Sequence, residues 1–354
     1  GSVKASSRLF LLMICQSQGL ITSMNTVYKA LVIRQDSTSF TRSIEKRSIN
    51  ELPKGEVLIR VHFSSLNYKD GLSCSGVRTV TRHYPHTPGV DAAGVVEFSS
   101  DDKFKIGDHV VVISFDLGMN TPGGFGQYIS VPAGWVMPLP DGLSLRESMI
   151  FGTAGYTAGY ALELLQKQNI FPDNGPILIT GASGGVGSVS VALLSSLGYS
   201  VSASTGKSIA KVFLKKLGAS EVLDRKSVDD DSGRSLLKEV WAGTIDSVGG
   251  NTLVTALNST KKNGVVLSVG LVSSSKLDAT VFPFIMRGII LQGVASSEAS
   301  MTVRKEVWSK LANEWKPKNL EYLVDDCSLE NLNSKIDKIL AGDIIGRVVI
   351  DMRS

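Results

Sequence analysis

Short apolar runs alternate with polar positions from Val27 onward: "YKALVIRQ", "GEVLIRVHFSSLN", "DAAGVVEF", "KIGDHVVVI" and "GGFGQYISVP", separated by Gly, Asp, Ser and Pro. Runs of this length, rich in Val and Ile, predict the strands of a small barrel or sandwich. The pattern changes near residue 145. Beyond it, more uniformly apolar strands take turns with stretches of helical spacing: "GPILITG" then "GSVSVALLSSLG", "YSVSAST" then "IAKVFLKKLG", "TIDSVGG" then "NTLVTALNSTK", "GVVLSVG", and "GIILQGVAS". Strand and helix in alternation imply right-handed crossovers and a parallel sheet covered on both faces, the doubly wound α/β arrangement. After Met301 come two helical stretches, "VRKEVWSKLANEW" and "LENLNSKIDKILAG", and a last strand, "GRVVIDM". A closing strand after helices is expected to return to the first unit and make it discontinuous. The expected division is an extension over 1–26, a mainly β unit over 27–148 and 298–354, and a doubly wound unit over 149–297.

Within "ITGASGGVG", Gly181, Gly184 and Gly187 follow an apolar strand and open a helix, the context in which such glycines bind a dinucleotide. Glycine lets the backbone approach a pyrophosphate closely, and the helix N-terminus offers it unpaired N–H groups and partial positive charge. A tight turn with nothing bound is the competing explanation. A site for NAD places Asp or Glu about 20 residues beyond the turn, on the ribose hydroxyls. Here the second strand ends Ser202-Ala203-Ser204-Thr205-Gly206-Lys207, without a carboxylate. Hydroxyls, a glycine and a cation suit a 2′-phosphate through charge-assisted hydrogen bonds, so the expected cofactor is NADPH. Arg225, after the third strand, is a second cation for that phosphate or an ordinary solvated loop residue.

Composition narrows the class. A chain of 354 residues, 43% hydrophobic and 20% charged, is globular and long enough for two cores. A net charge of +4 without a basic stripe argues against a nucleic-acid partner. Cys15, Cys74 and Cys327 lie too far apart for a disulfide framework or a CxxC knuckle, which fits a reducing compartment. His62, His83, His86 and His109 lack ligand spacing, so no zinc is expected, and no GxSxG elbow marks a hydrolase. The apolar run Leu9–Cys15 is far shorter than the ~20 residues of a membrane helix. Residues 3–35 contain Lys4, Arg8, Lys29 and Arg34 and no acid, the look of an organelle transit segment or of a disordered extension. Gly1-Ser2 resembles an expression remnant, and Met24 is a candidate start. The expected compartment is the cytoplasm or an organelle matrix.

"NYKD" at 67–70, "PGVDAAGVV" at 88–96, "KIGDHVVV" at 105–112, "GGFGQYISVP" at 123–132, "GTAGYTA" at 152–158 and "GASGGVG" at 181–187 resemble, in order and context, the medium-chain dehydrogenase/reductase superfamily. The resemblance covers residues 27–351 and implies a GroES-like, mainly β catalytic domain beside a Rossmann domain. Within it, "SSLNYKDGL", "ASGGVGS", "VFPFIMRG" and "GRVVID" are similar to the zinc-free acryloyl-CoA reductase branch, whose members are also named as quinone oxidoreductases. The resemblance implies that Tyr68 lies beside the nicotinamide, that Ser183, Gly184, Gly185 and Val186 line the pyrophosphate, and that Thr205, Gly206 and Lys207 line the 2′-phosphate. Relatives carry arginine at the last position; lysine keeps the charge and loses the planar fork. Leu271, Ile285 and Ser296 match positions near the nicotinamide half, with packing at strand ends as the rival explanation. Thr153, at the expected domain junction, is a candidate for the cofactor or for a helix N-terminus. Arg287 and Arg347 are candidate contacts for an anionic substrate such as a CoA thioester, or surface cations.

The implied reaction is NADPH-dependent reduction of a short enoyl-CoA, acryloyl-CoA to propanoyl-CoA, with hydride added at the β-carbon and a proton at the α-carbon. Asn67 or backbone N–H groups are candidate donors to the developing oxyanion, and Tyr68 is a candidate proton donor. Lys69 and Asp70 are expected to form a solvated or structural pair. Two alternatives stand beside this: an NADPH-dependent quinone or enone reductase, and a cofactor-binding protein without turnover. A homodimer through the sheet edge at 289–296 is also implied.

Overall fold

The computed structural model describes residues 26–354. The expected extension and targeting segment, Met24 and Cys15 lie outside the described residues. Strands β1 (Val27–Asp36) and β2 (Ser39–Ser48) form an antiparallel hairpin. The main β layer is built from β3 (Val57–Ser65), β4 (Asp91–Ser99), β5 (His109–Ile113), β6 (Tyr128–Val131) and β7 (Met137–Pro138), with a short helix α1 (Tyr68–Cys74) between β3 and β4. Helix α2 (Leu145–Lys167) then crosses to the second half. A capping box starts it: Ser144 Oγ accepts the Glu147 N–H at 3.0 Å, and Glu147 Oε1 accepts the Ser144 N–H at 3.0 Å.

The second half runs β8 (Ile177–Ile179), α3 (Gly185–Ser196), β9 (Val201–Thr205), α4 (Lys211–Lys216), β10 (Glu221–Asp224), β11 (Trp241–Asp246), α5 (Gly250–Asn258), β12 (Thr260–Ser268), α6 (Phe282–Arg287) and β13 (Ile290–Gly293). Its six strands are all parallel, in the order β10-β9-β8-β11-β12-β13. That is the doubly wound order in which ligands bind where the strand sequence reverses, beyond the carboxyl ends of β8 and β11. Every residue of β8 and β11 is buried, as strands covered on both faces require.

The chain then returns through α7 (Met301–Ala312), β14 (Val324–Ser328), α8 (Leu332–Leu340) and β15 (Arg347–Asp351). β15 pairs with β3, so the first layer reads β14-β15-β3-β4-β5-β7, with β6 also on β3. The largest apolar cluster joins the halves: Phe63 and Val111 of the β layer, Phe151 and Tyr156 of α2, Leu193 of α3 and Trp308 of α7 share one core. Helix α2 is broken at Gly152, whose φ of 54° and ψ of −158° leave the helical path. Among the described residues no helix is long and apolar enough to cross a membrane.

Candidate active site

The glycine turn sits between β8 and α3, where the topology places a ligand. Gly181 has φ 58°, which glycine adopts without strain. A Cβ on Gly187 would stand 2.3 Å from the Gly181 carbonyl oxygen, so this glycine is required by helix-to-strand packing. Gly184 differs: a Cβ there would meet nothing closer than 3.5 Å. The protein itself makes no demand for glycine at 184, which leaves an open cradle at the helix N-terminus, and no side chain caps that terminus. Ser183, Gly184, Gly185 and Val186 are thus brought to one rim.

The end of β9 is tied to the same turn. Thr205 Oγ1 donates to Ser183 Oγ at 3.2 Å, and the Lys207 N–H donates to Thr205 Oγ1 at 3.1 Å. Lys207 Nζ donates to the Ile344 carbonyl at 2.9 Å, on the loop entering β15. Burial pulls the Lys207 ammonium below the ordinary lysine range, with Asp343 opposing. Arg225 stands beside Gly206, its Nε 3.9 Å from where a Cβ would lie. Two cations, two hydroxyls and an open glycine therefore meet at the end of β9. That combination suits a phosphate through charge-assisted hydrogen bonds.

The other end of the crevice is a buried polar cluster. Asp91, fully buried at the start of β4, accepts from Ser65 Oγ at 2.7 Å, from Asn67 Nδ2 at 2.8 Å, from the Thr153 N–H at 3.0 Å and from the Thr153 hydroxyl. Arg347 Nη2 is 3.8 Å from Asp91 Oδ2, an ion pair with no hydrogen bond. Asp70 accepts the Asn67 N–H at 2.8 Å and the Val90 N–H at 2.9 Å. Burial and then the Asp91 carboxylate push Asp70 up to about 7, against those hydrogen bonds. Helix α1 begins on this cluster and leaves Tyr68 56% exposed beside it.

Several expectations change here. Lys69 and Asp70 do not pair: the lysine is exposed, and the buried carboxylate caps α1. Asn67 is not a free oxyanion donor, since its amide hydrogens face Asp91 at 2.8 Å and Asp70 at 3.5 Å while its oxygen faces Arg347 Nη1 at 3.4 Å. Thr153 directs both donors to Asp91 just past the Gly152 kink, so it opens the second stretch of α2. Arg347 is no surface cation; it is buried and donates to the carbonyls of Ile150 at 2.9 Å and Leu66 at 3.2 Å. Arg287 likewise donates inward, to the carbonyls of Leu237 at 2.6 Å and Asn258 at 2.8 Å. Both guanidiniums are engaged by protein carbonyls and are not held out for an anion. Leu271 and Ile285 are exposed rather than packed, whereas Ser296 is buried, with Oγ 2.8 Å from Thr157 Oγ1.

Sequence reasoning missed Asp91, Ser65 and Gly152. A signal for Asp91 was present: an acid inside the small apolar run "VDAAGVV" is seldom fully buried without partners. Among the described residues no group of three or more His, Cys, Asp or Glu could hold a metal ion.

A dinucleotide crevice at a strand-order reversal, closed at its far end by a β layer carrying a buried acid cluster, defines a two-part oxidoreductase. Residues 53–141 match the alcohol dehydrogenase GroES-like domain family and residues 185–313 the zinc-binding dehydrogenase family. The chain is 41% identical over 330 residues to YhfP of Bacillus subtilis, covering 93% of this chain and all of that protein. It is 39% identical over 330 residues to the acrylyl-CoA reductase AcuI of Ruegeria pomeroyi, with the same coverage of each chain. Among solved structures, the yhdH oxidoreductase of Salmonella enterica in complex with NADP superposes with a TM-score of 0.89 at 37% identity, over 92% of this chain and 100% of that one. B. subtilis yhfP with NAD bound gives a TM-score of 0.90 at 40% identity, over 92% and 99%. The chain belongs to the medium-chain dehydrogenase/reductase superfamily, in the branch that holds YhfP and AcuI.

Proposed function

We propose that the protein reduces the α,β double bond of a short enoyl-CoA with NADPH, acryloyl-CoA to propanoyl-CoA being the leading reaction. The observation that carries this is the pairing of an acid-free, doubly cationic cofactor end at Lys207 and Arg225 with an exposed phenol, Tyr68, on the rim of the buried acid cluster. Likeness to AcuI along nearly the whole chain supports the substrate class. The residues fit NADPH: Gly184 leaves room for a pyrophosphate, and no carboxylate follows Thr205 to claim a 2′-hydroxyl.

When bound, NADPH supplies the hydride that adds to the β-carbon of the thioester. The protein has to hold the thioester in place, stabilise negative charge on its carbonyl oxygen and return a proton to the α-carbon. Tyr68 carries a transferable proton at the exposed start of α1 and is the candidate donor. Asn67 and Asp91 hold that helix start in register rather than meeting the substrate.

The deciding experiment is a comparison of kcat/KM for acryloyl-, crotonyl- and longer enoyl-CoAs against quinones, with NADPH and with NADH. Acryloyl-CoA with NADPH is expected to lead; efficient quinone reduction with no acryloyl-CoA consumption would replace this reading by the quinone reductase one. Tyr68→Phe is expected to lower kcat by about 100-fold with little change in the NADPH KM. NADPH oxidation by no acceptor, with binding intact, would leave a binding protein.

The cofactor end gives a separate prediction, read by fluorescence titration. Lys207→Ala raises the NADPH Kd about 10–100-fold by removing a charge-assisted hydrogen bond, and leaves NADH within about twofold. Because burial already lowers the Lys207 pKa, NADPH affinity falls on the alkaline side at a lower pH than an ordinary lysine would give, while NADH affinity does not. Gly184→Ala keeps the melting temperature, since its Cβ has space, yet loses affinity for both cofactors.

We also infer a homodimer through β13, which among the described residues pairs only with β12 and stands at the end of the sheet. Sedimentation equilibrium at micromolar protein should give twice the chain mass; a monomer would remove this inference.

A further inference from the structure

Arg304 of α7 is 2% exposed, and among the described residues its guanidinium makes hydrogen bonds to three carbonyls and to no carboxylate. Two of those carbonyls belong to the turn that follows β13: Nη2 donates to Ser297 at 2.6 Å and Nε to Ala299 at 3.2 Å. The third is on the other sheet, where Nη1 donates to Ile113 at the end of β5, at 3.2 Å. One buried cation thus ties the exit of the parallel sheet to the exit of a β-layer strand. A buried charge whose hydrogen bonds go to carbonyls is costly, so an arginine used as a mere filler is a poor explanation.

The same guanidinium lies in a stack of rings. It sits 4.3 Å above the centroid of Phe115 and 5.6 Å from that of Tyr156. Phe115 in turn lies parallel to Trp135, and Tyr156 parallel to Trp308. Phe115 is reached through two consecutive non-glycine residues in the left-handed region, Ser114 at φ 60° and Phe115 at φ 54°. Such a pair is strained and persists only where surrounding contacts enforce it, a pattern that gathers at functional sites. On the opposite side, the Tyr156 hydroxyl donates to the Ser296 carbonyl at 2.9 Å. Arg304 and Tyr156 therefore hold the Ser296 turn from two directions, and Arg304 holds the Phe115 loop as well.

We propose that Arg304 is a positioning residue for hydride transfer: with Tyr156 it fixes the separation between the Ser296 turn and the Phe115 loop, and so the attitude of the nicotinamide toward the acceptor. The inference rests on the reading that NADPH binds with its nicotinamide half against Ser296. The cofactor's phosphates are held elsewhere, at Ser183 to Val186 and at Lys207. Loss of the clamp should leave affinity in place and disturb only geometry at the reacting end.

The test uses the full chain with NADPH as the probe. Arg304→Met removes the fork and the charge, Arg304→Lys keeps the charge alone, and Tyr156→Phe removes only the hydroxyl on Ser296. Each is measured for NADPH Kd and bound-nicotinamide emission, for kcat, for the primary isotope effect with 4-deuterated NADPH, and for melting temperature. Arg304→Met and Tyr156→Phe are expected to bind NADPH within about threefold of the parent, to shift the bound emission, and to lower kcat by about 30-fold and 5-fold with a larger isotope effect. Arg304→Lys does not restore the emission. Parental emission and kcat in the folded variants would overturn the proposal, as would a Kd that weakens as much as kcat falls. Should Arg304→Met fail to fold, Tyr156→Phe decides. The parent protein judges the underlying reading: failure to bind NADPH removes both, whereas NADPH binding with turnover of quinones in place of enoyl-CoA leaves the emission test in force.

Discussion

Asp91→Asn lowers kcat/KM by about two orders of magnitude, because Asn67, Thr153 and the start of α1 lose the acceptor that sets their positions. The substitution keeps the shape of the side chain and reverses part of its chemistry. All its close partners are donors that need an acceptor: Ser65 Oγ, Asn67 Nδ2, both donors of Thr153 and, at ion-pair distance, Arg347. An amide NH₂ must face one of them. Each buried donor left unpaired costs about 1–3 kcal/mol, and Arg347, buried and 3.8 Å away, loses its nearest anion. Breaking a buried pair in this way costs about 3–5 kcal/mol, so thermal unfolding should begin roughly 10 °C lower. A parental melting temperature and parental kinetics would show that the cluster does not support the site. The pH dependence provides an internal check. Asp70 has an ordinary value of 3.8 and is raised to about 7, so the folded state holds its proton more tightly than the unfolded chain. That stabilisation is complete below about 4 and is lost as pH rises through about 7. Asp91 is one of the causes that raise Asp70, so in Asp91→Asn the loss is smaller and is complete at lower pH. Melting temperatures between pH 5 and pH 8 would register the displacement.

Gly152→Ala is expected to be more damaging still, leaving little folded protein. Its φ of 54° with ψ of −158° belongs to glycine almost alone, at a cost of about 1–3 kcal/mol for any other residue. The added Cβ would lie 2.4 Å from Asp91 Oδ2, 2.6 Å from Ser65 Oγ and 2.7 Å from Arg347 Nη2. None of these three can retreat without giving up its own buried partner, so overpacking adds about 1–3 kcal/mol. Soluble yield and circular dichroism would measure the loss. Gly134→Ala is the matched control, since a Cβ there meets nothing within 4 Å. A stable, active Gly152→Ala protein would mean that the kink in α2 is not needed to seat the acid cluster.

What could be read from the chain was whatever depends on neighbours in sequence. The β8 strand, the glycine turn and the opening of α3 are consecutive, so apolar spacing and glycine chemistry sufficed for them. The missing acid after Thr205 was equally local. The acid cluster was not legible in this way, because its members stand 62 residues apart for Asp91 and Thr153 and 281 for Leu66 and Arg347. Nothing near Arg347 in sequence signals that it will be buried. The parity of "RVVID" identifies a strand and is silent about which carbonyls its first residue will meet. β14 escaped notice for another reason: "VDDCS" is polar because it is an edge strand with one partner, and it lacks the alternation that marks a half-buried strand.

The return of the chain to its first sheet also sets an order of assembly. Val349 pairs with Ser65, so β3 waits for nearly the whole polypeptide before it gains this neighbour. The six parallel strands, by contrast, are contiguous from Ile177 to Gly293 and can close over one another earlier during synthesis. Arg347 is the first residue of that last strand. Until it emerges, the carboxylate of Asp91 has a set of donors and no cation beside it. The parallel sheet is therefore in place well before the acid cluster, although Lys207 and Ser183 wait for the Ile344 carbonyl and the Gly346 N–H. The last strand to arrive, β15, supplies the arginine that joins the two.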